Sequence, residues 1–236
     1  MIDPDAPRIR DRDLAPVATL IGDPTRLAML VALAEGRALP AGELARYAGV
    51  RPATATAHLR QLVEAGLVSV RAQGRHRYHE LAGPHVAVLL EALAQLAPAT
   101  SVRSLRSDRA ARGLSEARTC YDHLAGRRGV ELRDRLLAAE AIAPVDERDH
   151  QLTASGLELL ANLRIDGGAV RSSRRVFART CVDWTHRRPH LAGALPAALT
   201  NQLLELRWLR RGMGRELRVA ADYDQRLDEW FASIGR

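Results

Sequence analysis

The chain has 236 residues, room for one large domain or two modest ones with cores of their own. Hydrophobic residues make up 47% and aromatics 4%, Ala and Leu dominate, and every basic residue is Arg, so helices packed through small aliphatic side chains are expected. The net charge of +7 is compatible with a polyanionic partner, two cysteines are too few for a disulfide framework, and no apolar run approaches the ~20 residues that span a bilayer.

The opening stretch, MIDPDAPRIRDRD, has no apolar segment of a signal peptide and is expected to fray, which predicts a cytoplasmic protein without membrane contact. Helical spacing runs from Leu14 to Gly22, and Asp23-Pro24-Thr25 restarts a helix with Asp as cap and Pro in the first turn. Pro40 to Ala48 form a short helix, Gly49-Val50 turns the chain, and Pro52 opens a helix ending near Ala65-Gly66. LVSVRAQGRHRYHEL then alternates around Gln73-Gly74 as a β-hairpin, and helical spacing resumes from His85 to Leu96.

Two helices, a tight turn and a basic hairpin are the layout of a winged helix-turn-helix. Within residues 51–77 the charge is local: Arg51, Arg60, Arg71, Arg75 and Arg77 stand against Glu64 alone. In the helix of residues 51–65, Ala55, Leu59 and Leu62 should face the core. Thr54, His58 and Gln61 then share another face, flanked by Thr56 and Arg60. Short or planar hydrogen-bonding groups of this kind reach base edges and phosphates. Arg75 at the hairpin tip, with Arg71 and Arg77 on its strands, is placed for phosphate or the minor groove.

The run IGDPTRLAMLVAL, followed by LPAGELARYAGVRPATATAHLRQLVEAGLV and a basic wing, resembles the ArsR family of bacterial regulators over residues 14–97. The resemblance implies a homodimer joined through the first helix and the helix after the wing. It further implies binding to a palindromic double-stranded operator as a repressor released by an effector. The familiar metal ligands are absent: GELARYAGV lacks paired cysteines, and the post-wing helix, which begins near His85, has Leu96 at its other ligand-like position.

The polar, Arg-rich residues 98–113 read as a linker. Beyond them a weak duplication pairs CYDH at 120–123 with CVDW at 181–184, each followed by a Leu-Ala-Gly that opens an amphipathic helix; the second copy inserts THRRPH. Hairpin candidates AIAPVDERDHQLT and RWLRRGMGRELRV precede final helices at 154–163 and 221–233. The expected fold class is therefore mainly α with short β-hairpin wings. A winged helix over 1–97 and the linker precede a C-terminal domain, 114–236, of two helix–helix–hairpin–helix units (about 114–166 and 170–235), with degenerate winged helices as one reading of them.

The sensor is expected in that domain. Cys120, Tyr121, His123, Cys181, Trp184 and His186 are the candidate lining of an effector pocket. Cys120, His123, Cys181, His186 and His190 are candidate ligands for Zn or another thiophilic ion, although their spacing matches no strong zinc motif. The plainer reading, favoured for the thiols, makes both cysteines small apolar residues at a close helix contact. Two other classes stay open: a protein-interaction adaptor with a structural winged helix, and a thiol-dependent enzyme. The Cys120–His123 pair lacks an evident third residue to orient the histidine, Gly212-Met213-Gly214 falls in a hairpin turn, and a non-enzyme is expected.

Overall fold

A computed structural model describes residues 13–98 and 105–234; the opening dozen residues and positions 99–104 of the expected linker lie outside it. The chain divides into two compact units, Met1–Ala32 with Ala38–Ala82, and Leu33–Arg37 with Gly83–Arg236. No single described helix is long and apolar enough to cross a membrane.

The first unit is the expected winged helix-turn-helix. It runs α1 (Ala15–Ile21), α2 (Pro24–Leu33), β1 (Leu39–Pro40), α3 (Ala41–Ala48), α4 (Pro52–Glu64), β2 (Val68–Gln73) and β3 (His76–Leu81), with strand order β1-β3-β2. The Asp-Pro-Thr-Arg start of α2 has a clear physical role. Asp23 Oδ1 accepts the Arg26 N–H at 2.8 Å, satisfying one of the donors a helix start leaves open. The Arg26 guanidinium donates to Leu20 O at 2.7 Å, Thr19 O at 3.1 Å and Gln61 Oε1 at 2.8 Å, tying α1 to α4. Gly49, at φ 67°, closes α3 by donating its N–H to the carbonyls of Ala45 and Arg46. Met29, Leu30, Leu44, Leu59 and Leu62 form the centre of this core, each adding about 2 kcal/mol of apolar burial.

The second unit begins with α5 (Pro84–Leu96) and α6 (Leu105–Glu116). The post-wing helix thus groups with the C-terminal residues, and most of the stretch read as a linker is helical. The first repeat continues β4 (Arg118–Cys120), β5 (His123–Ala125), α7 (Arg127–Ala138), β6 (Ile142–Pro144), β7 (Asp149–Leu152) and α8 (Ala154–Asn162). After α9 (Gly167–Arg171), the second repeat runs β8 (Ala178–Val182), β9 (Pro189–Ala192), α10 (Ala194–Glu205), β10 (Leu209–Arg211), β11 (Leu217–Val219) and α11 (Tyr223–Phe231). Each repeat therefore carries a hairpin ahead of its Leu-Ala-Gly helix that the helix–helix–hairpin–helix reading omits. The turns of these added hairpins, Tyr121-Asp122 and residues 183–188, lack the Gly or Pro that marks the two hairpins legible in the sequence.

The repeats exchange hairpins. The second hairpin of the first repeat pairs with the first hairpin of the second in the sheet β6-β7-β8-β9. The reciprocal pair, β4-β5 and β10-β11, meets through an antiparallel bridge between Arg118 and Glu216. The backbone bonds match: Thr119 N–H donates to Arg215 O at 2.9 Å, and Thr180 N–H to Arg148 O at 2.7 Å. Both repeats share one core, which includes Leu124, Leu136, Leu159, Leu191, Leu199 and Leu203. Trp208 packs edge-on against Tyr223 and Trp230, and the Trp230 indole donates to Leu159 O at 2.8 Å.

A buried ion network crosses this core. The Arg118 side chain, 0% exposed, lies 2.9 Å from Asp183 Oδ2 and 3.5 Å from Glu91 Oε2, with the Trp184 ring 4.8 Å from its guanidinium carbon. Asp183, also fully buried, accepts the N–H groups of Gly126 at 2.6 Å, Thr185 at 2.9 Å and His186 at 2.9 Å. Burial works to raise the Asp183 pKa, but the Arg118 charge and these donors outweigh it and hold the carboxyl at about 2.

Asp183→Asn, which leaves a buried guanidinium without its main counter-charge, should cost about 3–5 kcal/mol in urea unfolding. Because folding depresses this carboxyl's pKa, its contribution is full above the unfolded value near ~4 and is lost as pH falls toward 2. The acid limb of stability against pH should accordingly flatten in the Asn variant. In the first unit, Arg26→Ala should cost about 1–3 kcal/mol by removing charged hydrogen bonds, read as a lower thermal midpoint.

Candidate DNA-reading face and metal centre

On α4, Ala55, Leu59 and Leu62 are buried. Thr54, Thr56, Arg60 and Gln61 are exposed, and His58 is half-buried. Pro52 at the start of α4 and extended Arg51 before it leave the first-turn N–H groups open. The face has its own internal contacts. Arg60 Nε donates to Glu64 Oε1 at 2.7 Å, Gln61 accepts from Arg26, and Thr56 Oγ1 donates to Pro52 O at 2.9 Å. His58 Nδ1 sits 3.9 Å from Asp23 Oδ1, so the α2 cap residue also faces this histidine.

In the wing, Gln73 pairs with His76 across the two-residue turn Gly74-Arg75. Gly74 adopts φ 58°, a conformation that lets the strands reverse tightly. Arg71, Arg75 and Arg77 are all exposed, with Arg75 at the tip.

In the second unit, four of the sequence candidates come together. Cys120 and His123 are directly opposed across β4 and β5; Cys181 and His190 are opposed across β8 and β9. Cross-strand partners project to the same side of a sheet. The hairpin exchange then brings the two pairs face to face, with one ligand atom from each residue within 4.8 Å of the others. The rings of His123 and His190 stack with centroids 5.2 Å apart. Cys120 is buried, as a packing role for it would require, but its neighbours here are a thiol and two imidazoles. Contact with Cys181, reinforced by burial, pushes the Cys120 thiol pKa up; the same contact, with the two imidazoles alongside, holds Cys181 down toward thiolate.

His123 Nδ1 lies 3.4 Å from Asp122 Oδ1, and Asp122 is itself paired with Arg175. That leaves His123 Nε2 buried without a hydrogen-bond partner, as are both ring nitrogens of His190. The turn between β4 and β5 is Tyr121-Asp122, with Tyr121 at φ 61°. Gly36 presses against it so closely that a Cβ there would stand 2.2 Å from Tyr121 O.

Trp184 and His186 lie apart from the cluster. Trp184 stacks on Arg118, while His186 Nε2 is 2.9 Å from Ser115 O. Tyr121 lines a cavity of about 540 Å³ shared with Cys120, His123, Val88, Arg148 and Arg179. The pairing of His190 with His123 escaped the Leu-Ala-Gly alignment. Two identical tetrapeptides carry it: ARTC at 117–120 and 178–181, and HLAG at 123–126 and 190–193. Each ligand pair is the last residue of one and the first of the other.

A family model described as a helix-turn-helix domain matches residues 21–71. The uncharacterized HTH-type transcriptional regulator YdfF of Bacillus subtilis (strain 168) is 42% identical over 199 residues, covering 84% of this chain and 88% of that protein. The HTH-type transcriptional regulator CmtR of Mycobacterium bovis (strain ATCC BAA-935 / AF2122/97) is 36% identical over 88 residues, 37% of this chain and 74% of that protein. The NMR structure of the cadmium metal-sensor CMTR from Mycobacterium tuberculosis aligns at 35% identity with a TM-score of 0.32, over 39% of this chain and 94% of that one. The similarity to YdfF extends well past the winged helix, and the chain belongs to the HTH-type transcriptional regulators, with an ArsR-like winged helix at its N-terminal end.

Proposed function

We propose that this regulator is a cytoplasmic homodimeric repressor that reads a palindromic operator with α4 and the wing, and that an effector bound in the C-terminal unit releases it. The observation that carries the reading is the joint exposure of Thr54, Thr56, Arg60 and Gln61 on α4 and of three arginines on the wing. In this reading α4 enters the major groove: the threonines, His58 and Gln61 address base edges, and Arg60 a phosphate. Arg71, Arg75 and Arg77 contact the backbone beside it. Gln61 and Arg60 must exchange their present partners for DNA, which costs little at exposed ion pairs.

Dimerisation is supported by apolar side chains left in solvent near the chain's first helix and on α5: Leu14 is 73% exposed and Leu96 84%, with Val88 and Leu93 also exposed. For the effector, the support is the cavity beside Cys120, Tyr121 and His123, whose arginines would favour an anionic ligand. Asp122 gives His123 the carboxylate partner that the sequence did not make evident, and a regulatory role without catalysis is the reading we adopt.

The test uses DNA selected by the protein from a random-sequence pool, followed by gel shifts across a salt series. Arg75→Ala should weaken binding to all sequences alike and reduce the log–log salt slope by about 1. Thr54→Ala and His58→Ala should relax sequence preference, with about 1–3 kcal/mol lost at the affected base pair. Light scattering should return twice the 25.9 kDa chain mass. A pool that yields no preferred sequence, with wild-type behaviour of all three variants, would sink the docking and favour a protein-interaction adaptor.

A further inference from the structure

We propose that Cys120, His123, Cys181 and His190 bind one thiophilic divalent cation, Zn²⁺ foremost, in a closed four-coordinate site that clamps the two repeats together. This inference stands independently of how the first unit reads DNA.

The donor set is the first argument. Two thiols and two imidazoles are the ligand types that Zn²⁺ takes in closed structural sites, and a full complement of protein ligands leaves no open position for substrate. Tetrahedral bonds of about 2.3 Å to sulfur and about 2.0 Å to nitrogen place ligand atoms roughly 3.5 Å apart. The four ligand atoms already lie within 4.8 Å of one another, a gap that side-chain rotation closes.

The second argument is the set of unpaired atoms. Buried polar atoms are nearly always hydrogen-bonded, yet His123 Nε2 and both ring nitrogens of fully buried His190 have no partner. An ion satisfies one nitrogen of each histidine at once. A Cys120–Cys181 disulfide would consume the sulfurs and leave those nitrogens orphaned. For His123 the far nitrogen is already engaged: Nδ1 faces Asp122, which Arg175 holds, the carboxylate–histidine arrangement that fixes ring orientation at a metal.

Symmetry supplies the third. The ligands sit at equivalent positions of ARTC and HLAG in the two repeats, so the two repeats would hold the ion with the same residue types at the same strand positions. Each hairpin contributes one sulfur and one nitrogen, and neither repeat can complete the site alone. The equivalent glycines Gly126 and Gly193 follow the ligand strands directly, at φ 78° and 118°. Their missing side chains let α7 and α10 start against backbone that a Cβ would meet at 2.8 Å and 2.6 Å.

The full-length protein, purified under reducing conditions without chelator or metal-affinity tag, should contain one Zn²⁺ per chain by elemental analysis. Stripped and titrated with Co²⁺, it should develop the intense visible bands of a tetrahedral site together with a thiolate-to-cobalt charge-transfer band. Cys181→Ser and His190→Gln should each weaken Co²⁺ binding by at least about tenfold and alter that spectrum, and Asp122→Asn should weaken it by about tenfold without altering the ligand count. His186→Gln should bind as wild type. A folded, metal-free protein that takes up no Co²⁺ or gives only the pale spectrum of octahedral cobalt would overturn the proposal, as would unchanged binding in both ligand variants. Should either variant fail to fold by circular dichroism, the wild-type cobalt spectrum decides.

Discussion

The buried guanidinium of Arg118 organises the C-terminal unit. Arg118 belongs to the first hairpin of the first repeat, yet its closest counter-charge, Asp183, belongs to the loop of the second. Removing both charges from water is costly, and the cost is met only where geometry supplies several further donors and acceptors. Asp183 receives those donors from Gly126, Thr185 and His186, so the ion pair also shapes the long loop between β8 and β9. That loop sets the register that brings His190 opposite Cys181. Glu91 extends the network to α5 and onward to Arg215. Pairing, loop shape and strand register are thus one coupled constraint.

Hairpin exchange is the natural companion of that constraint. A lone two-stranded hairpin is marginal in water because it offers too little surface to bury. Each hairpin here gains a neighbour from the other repeat, and the shared leucine core closes beneath both. The same exchange concentrates sulfur and imidazole at the centre of the unit, where water cannot easily satisfy them. Polar groups held in such a place need partners from the protein or from an ion.

The first unit follows a different logic. Its core is built from local helix packing, and its polar residues are kept outward by the periodicity of α4. Arg26 is the exception, a charged side chain whose work is largely internal: it caps α1 carbonyls and holds Gln61. This explains why Asp-Pro-Thr-Arg is a compact sequence feature of the fold. Three of its residues act at one helix start, through the cap, the first-turn proline and the guanidinium.

The sequence by itself determined the winged helix, because Ala55, Leu59 and Leu62 recur at helical spacing, and a Gly turn separates two alternating runs. It also determined that residues 120–123 and 181–184 are related, and that the second copy is longer. What it could not supply was the hairpins at those positions, whose short strands are joined by turns without the Gly or Pro that marks the other two hairpins. Nor could it assign α5 to the unit that Glu91 joins, since a buried carboxylate is recognisable only once Arg118 and Arg215 are beside it. The gathering of Cys120, His123, Cys181 and His190 was decided by tertiary structure alone. Their spacing of 61 residues between cysteines resembles no metal motif, and only cross-strand register and hairpin exchange bring the four side chains to one point.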